Sequence, residues 1–161
     1  MNNNKSKFIL SKIEEKEINT EKTHYLNSKA ASIEALKIIQ KHRGWIEDDA
    51  IYAIANLLNV TPNEIESIAT FYSQIYRKPV GLNIIKYCDS MVCYINGYKS
   101  VELEIKNLLK ITTGETTKDN KFTLLNTCCL GNCDKAPTIM INDDTYHHIT
   151  PINIKNILEK Y

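Results

Sequence analysis

No run of apolar residues in this sequence comes near the roughly 20 that a bilayer-spanning helix requires, so no membrane insertion is expected. A secretory leader is missing as well: residues 1–22, MNNNKSKFILSKIEEKEINTEK, have neither a continuous apolar core nor a small-residue cleavage site. The same stretch holds Glu14, Glu15 and Glu17 and no arginine, the wrong composition for a mitochondrial transit peptide. Charge of one sign is not in excess either. Lysine plus arginine number 20 against 19 aspartate plus glutamate, a formal net charge of +1, so neither nucleic acid nor an anionic membrane is favoured as a partner. There is no glycine-rich dinucleotide fingerprint, no phosphate loop, no CxxC dithiol and no internal repeat. These absences predict a soluble, intracellular protein that binds no dinucleotide by itself and is not a simple thiol–disulfide oxidoreductase.

What the sequence does contain is a sizeable apolar complement and five cysteines. At 161 residues the chain suits one domain, or a small domain with an appended helical segment, and can bury a core without a disulfide scaffold. In a reducing compartment, five cysteines in two tight groups argue for metal or redox chemistry before structural disulfides.

Residues 1–28 are polar with little apolar periodicity, and an extended or partly disordered arm is expected there. Residues 29–80 read as a helical bundle. Its first helix has Ser32 as expected N-cap, a stripe of Ile33, Leu36 and Ile39, and a stop at Arg43 and Gly44. The second follows the acidic turn Glu47, Asp48, Asp49, with Ile51, Ile54, Ala55 and Leu58 in its stripe. In the third, Thr61 caps, Pro62 comes first and Glu64 closes a capping box, with Ile65, Ile68, Ala69 and Tyr72 sharing one face. Arg77, Lys78, Pro79 and Gly81 break the pattern, and residues 81–161 have a different texture. Residues 82–87 read as a strand running into Cys88, 97–110 as a helix, 112–120 as a loop, and 122–125 as a strand leading to Cys128 and Cys129. Residues 138–141 and 146–149 flank Asn142, Asp143 and Asp144, a hairpin signal, and Thr150 caps a last helix that starts at Pro151. The order β-α-β-β-β-α predicts a small α/β sandwich preceded by the helical bundle.

Cys88 and Cys93 have four residues between them, and Cys128 and Cys129 are followed by Cys133. Each group lies where a strand is expected to end, so thiolates from two adjacent loops converge at one end of a sheet. Four thiolates suit a [2Fe–2S] cluster and also suit structural zinc, whose paired ligands are spaced similarly. Spacing leaves the choice between Cys128 and Cys129 open too. The first repeats the four-residue interval to Cys133, the second leaves three residues. Adjacent residues leaving a strand point to opposite faces, so only one of the two can turn to the site.

Four segments carry a resemblance to a known family: TPNEIESIATFYS at 61–73, the pair Cys88 and Cys93, CLGNCDKAP at 129–137, and INDDTYHHITP at 141–151. In order and spacing they resemble the small thioredoxin-like [2Fe–2S] component, the E-type subunit, of bacterial NADH:quinone oxidoreductase (respiratory complex I), from about residue 30 to the C-terminus. The resemblance implies a thioredoxin-like α/β (α+β) domain after an N-terminal helical extension, with Cys88, Cys93, Cys129 and Cys133 as ligands of one [2Fe–2S] cluster. It also implies a larger flavoprotein partner, which alone binds NADH and FMN and exchanges electrons with the cluster, and further neighbours in the peripheral arm of complex I. The cluster is then a store or transient acceptor for one flavin electron, and the chain shares the oxidoreductase activity without a complete active site. Its place would be the bacterial cytoplasm, peripheral on the cytoplasmic side of the inner membrane. Related subunits of NAD-linked hydrogenases and formate dehydrogenases are the alternative hosts, and a structural zinc module is the alternative chemistry. Two departures stand out: members similar to this chain usually carry another, often acidic, residue where Cys128 stands, and the usual proline entering the second helix is replaced near Ile46 and Glu47.

Four thiolates on a diferric core carry a net charge of about −2, so donors are expected from loop amides around Ser90, Gly131 and Asn132, with Gly131 at a positive φ. His147 and His148 read as a solvated strand pair, Tyr72 as core, and the lysines near Lys106 and Lys110 as a solvated helix face. Trp45 and Phe71 are candidate partner contacts in the helical half. The cysteine reading predicts that Cys128→Ala keeps the visible spectrum and iron content, whereas Cys129→Ala leaves three thiolates and loses or destabilises the cluster; iron analysis of the purified variants checks both.

Overall fold

The computed structural model of the protein describes residues 8–161, in two compact units that divide between Pro79 and Val80. The first unit is helical: α1 (Lys12–Lys22), α2 (Ser32–Arg43), α3 (Asp48–Leu58) and α4 (Pro62–Phe71). Ile18, Leu36, Ile39, Ile46, Ile54, Leu58 and Ile65 are fully buried in its core, each worth about 1.5–3 kcal/mol relative to an exposed position.

α1 occupies residues 12–22 of the segment 1–28, where an extended or partly disordered arm was expected; residues 1–7 lie outside the described residues. The helix has a clear start, a capping box in which Ser11 and Glu14 bond each other's backbone N–H. Its periodicity is weak because the face it buries contains Glu14 as well as Ile18, four residues on. Glu14 is tolerated there because the Arg43 guanidinium meets it through Nε and Nη2, both at 2.7 Å, and also donates to the Ile9 carbonyl at 2.9 Å. The same guanidinium lies 4.0 Å from the centroid of the Phe8 ring.

The other helices begin and end on local chemistry. Ser32 does not cap α2; a 3-10 turn, Ser28–Ala31, leads straight into the helix, and the Ser32 hydroxyl donates back to the Lys29 carbonyl at 2.6 Å. α2 stops at Gly44, whose φ of 84° favours glycine. α4 opens with the Thr61–Glu64 capping box and Pro62 in the first turn. Tyr72 is not core. The backbone turns extended there (φ −87°, ψ 110°), so the residue falls out of helical phase with Ile65 and Ala69, and it is 42% exposed, beside Phe71 at 80%.

The second unit runs β1 (Asn83–Cys88), α5 (Met91–Ile95), α6 (Tyr98–Leu109), β2 (Phe122–Thr127), β3 (Ile139–Ile141), β4 (Asp144–Tyr146) and α7 (Ile154–Leu158). The sheet order is β2-β1-β3-β4. β1 and β2 pair in parallel across the helical crossover, and β3 and β4 add antiparallel. One row of the sheet, Ile85, Leu124 and Ile141, is buried with Val101 and Ile105 of α6 and Ile154 and Leu158 of α7.

The hairpin is tighter than its expected strand bounds. Asp144 already pairs with Ile141, leaving Asn142 and Asp143 as the turn, because Asn142 takes a φ of 54° and its side chain bonds the Ile84 N–H and the Asn83 side chain, both at 2.9 Å. Thr150 does not cap the last helix, which begins at Ile154 with Asn153 in the N-cap position and not at Pro151; Thr150 instead exchanges hydrogen bonds with Asn153 in the turn before it.

The Arg43 side chain holds the Glu14 carboxyl at about 2, against an ordinary 4.5, while burial opposes the shift. Because the folded value is depressed, this stabilisation is complete above about 4.5 and is lost as the pH falls from there through about 2. Glu14→Gln should cost about 2 kcal/mol at neutral pH and flatten the acid limb of stability; thermal unfolding by circular dichroism across that range measures both.

Candidate metal centre

Parallel pairing of β1 with β2 brings their C-terminal ends together. Cys88 stands opposite Thr127, and the Asp89 N–H donates to the Thr127 carbonyl at 3.0 Å. The segment before β3 closes the other side, where the Cys88 N–H donates to the Thr138 carbonyl at 3.2 Å; the peptide between Ala136 and Pro137 is cis.

At this end of the sheet the thiols form two pairs. Cys88 ends β1 and is 2% exposed; Cys93 lies in α5, not in a loop as expected, and is 1% exposed. The two thiols are close enough to influence each other's ionisation. Cys129 and Cys133 are exposed, with their Sγ atoms 3.8 Å apart. Cys133 is close enough for its charge to act on both Cys88 and Cys93. Cys128 is exposed too, and it meets the group through its carbonyl, 3.6 Å from the Cys88 Sγ. The exposed rings of His147 and His148 pack on each other with centroids 5.6 Å apart.

Backbone donors surround these sulfurs. The Gly131 N–H reaches the Cys129 Sγ at 3.3 Å, and the φ of 74° at Gly131 turns that amide inward. The Cys88 Sγ lies 3.2 Å from the Ser90 hydroxyl. Burial pushes the Cys88 thiol up, but the Ser90 hydroxyl and backbone, Cys93 and the Leu130 backbone together outweigh it and leave the net shift downward. Cys93 is pushed up, by burial first and then by Cys88, although the Thr138 N–H works the other way. Cys133 is raised by its contact with Cys129.

One supporting feature escaped the sequence. Glu102 is buried in α6 and accepts from the Tyr87 hydroxyl at 2.9 Å, from Lys106 at 2.7 Å and from Lys99 at 3.1 Å. Burial raises its carboxyl, yet these three partners bring it down to about 2. Lys106 is therefore an ion-pair partner and not a solvated lysine, and Tyr87, next to Cys88, is fixed at its hydroxyl. The signal was present as the spacing of Lys99, Glu102 and Lys106 on one helix face.

The donor set fits a dinuclear centre. Two metal–thiolate bonds of about 2.3 Å at a tetrahedral angle put their sulfurs about 3.8 Å apart, the separation found for Cys129 and Cys133. Each iron of a [2Fe–2S] cluster takes two protein ligands, and four cysteines in two groups supply that number.

Comparison with known proteins identifies the family. Residues 18–161 match the family of thioredoxin-like [2Fe–2S] ferredoxins. The E subunit of NADH-quinone oxidoreductase from Buchnera aphidicola (subsp. Acyrthosiphon pisum) is 59% identical over 155 residues, covering 96% of both chains. The corresponding E subunits of Escherichia coli K12 and Pseudomonas aeruginosa are each 54% identical, covering 96% of this chain and 93% of theirs. Among solved structures, NAD+-reducing [NiFe]-hydrogenase in its H2-reduced state shares the fold, with a TM-score of 0.66 and 23% identity. That match spans 78% of this chain but 21% of the hydrogenase chain. The chain therefore belongs to the thioredoxin-like [2Fe–2S] ferredoxins, and within them to the family of NADH-quinone oxidoreductase E subunits. Its cofactor is one [2Fe–2S] cluster.

The burial pattern predicts how the cluster-free chain reacts with a maleimide. Cys128, Cys129 and Cys133 should label rapidly, while Cys88 and Cys93 react slowly until the protein is unfolded; peptide mass spectrometry over time reads the order.

Proposed function

We propose that Cys88, Cys93, Cys129 and Cys133 hold the cluster, one iron to each pair, and that the chain is the electron-transfer subunit of an NADH:quinone oxidoreductase. Its partner in this reading is an NADH- and FMN-binding flavoprotein subunit in the peripheral arm, on the cytoplasmic side of a bacterial inner membrane. The observation that carries the proposal is that two thiol pairs leave the adjacent ends of the parallel strands β1 and β2, with the outer sulfurs 3.8 Å apart. Near-complete coverage of these E-subunit relatives at 54–59% identity supports the host assembly over a hydrogenase, for which the likeness is one of fold. Among the described residues no helix is long and apolar enough to cross a membrane, which accords with a peripheral place.

When bound, the cluster supplies a centre that gains and loses one electron. The chain's own residues do the rest. Cys88 and Cys93 sit out of solvent, so the inner half of the site changes charge in a low-dielectric setting. The Gly131 amide points at the Cys129 sulfur, and the backbone at Ser90, Leu130 and Thr138 favours charge on the inner thiols. Cys129 and Cys133 lie at the surface, and α5, which carries Cys93, also exposes Met91, Tyr94 and Ile95, an apolar face that a partner can cover. In the helical unit, exposed Phe71 and Tyr72 stand edge to face, centroids 5.1 Å apart, and offer a second apolar contact.

The test is a spectrum with an iron count. The chain isolated anaerobically should be brown-red, hold two irons and two sulfides, and give a paramagnetic signal only after reduction, since the oxidised ferric pair is spin-coupled. Replacing Cys88, Cys93, Cys129 or Cys133 by alanine should lower the iron content. A colourless protein with stoichiometric zinc would overturn the reading.

A further inference from the structure

Ser90 holds the N-cap position of α5, with φ −76° and ψ 168°. A serine there ordinarily accepts, through its hydroxyl, the N–H two or three residues ahead. This serine makes no capping bond. Its Oγ lies instead 3.2 Å from the Cys88 Sγ. Cys88 is 2% exposed, so water does not compete for that sulfur.

A metal-bound cysteine is a thiolate and has no proton to give. The hydroxyl is then the donor, and its hydrogen bond strengthens as the sulfur gains negative charge. We infer that Ser90 is a positioning residue that sets the redox potential of the cluster: its hydroxyl is diverted from capping α5 to the Cys88 sulfur, where it favours the reduced state. The inference rests on Cys88 being a ligand. It differs from the contribution of the backbone amides in that a single side-chain atom carries it, which makes it removable without disturbing the chain path.

The test uses the full chain with its cluster and compares Ser90→Ala, Ser90→Gly and Ser90→Thr by anaerobic redox titration, following the paramagnetic signal of the reduced cluster. Glycine is an acceptable N-cap residue, so it removes the hydroxyl with little cost to α5. Ser90→Ala and Ser90→Gly should keep the two irons and shift the potential downward, while Ser90→Thr stays near the parent. Resonance Raman spectra in H2O and D2O should show a smaller isotope shift of the iron–sulfur stretches in the alanine and glycine variants than in the parent. Unchanged potentials in fully loaded alanine and glycine variants would overturn the inference, as would a threonine variant as low as alanine. Loss of the cluster from both, with retention in threonine, would make Ser90 a structural residue and overturn it equally. The ligand reading fails separately: it falls if Cys88→Ala keeps its iron.

Discussion

Everything chemical in this protein depends on the parallel pairing of β1 with β2. An antiparallel pair would put the residues after Cys88 and those after Thr127 at opposite ends of the sheet. In parallel register Cys88 stands opposite Thr127, and the loops that follow leave from the same edge. The pairing needs a crossover, supplied by α5 and α6. α5 does double duty, since the turn that starts the crossover also carries Cys93 back to Cys88.

The site is asymmetric in a way that suits electron transfer. Its inner pair is almost fully buried and its outer pair is at the surface. Burial alone makes the charged form of a thiol unfavourable, as the rise at Cys93 shows. At Cys88 the donors reverse that outcome. Backbone N–H groups are well suited to the task because they are fixed by the fold and cannot turn away when the charge changes. The positive φ of Gly131 is what aims one of them at Cys129.

Buried charge is handled in the same manner in each unit. Glu14 in the helical unit and Glu102 in the second are both held ionised by cationic partners, Arg43 in one case and Lys106 with Lys99 in the other. Each locks structure that matters nearby: Arg43 ties α1 to α2, and Glu102 grips the hydroxyl of the residue preceding Cys88. Such pairs are poor contributors to net stability but costly to break on one side only.

How much of this was legible in the sequence follows from which interactions are local. The Thr61 capping box, the Gly44 stop and the strands leading to Cys88 and Cys128 are short-range features, and the chain alone determined them, together with the cysteine spacing that narrows the chemistry to metal or redox. α1 was not legible, because its buried face includes a carboxylate whose partner, Arg43, lies 29 residues away. Tyr72 looked like core because one backbone turn at the end of α4 cannot be seen in a periodicity. Lys106 has a local partner four residues away in Glu102, but that Glu102 is buried against Tyr87 is decided only by packing of α6 on β1. The 3.8 Å approach of Cys129 to Cys133 and the turning of the Ser90 hydroxyl toward Cys88 span only four and two residues, yet spacing does not state the loop conformation that sets them. Tertiary structure alone decided which thiols are buried, since that depends on β1, β2 and the segment before β3, far apart in sequence, being held side by side.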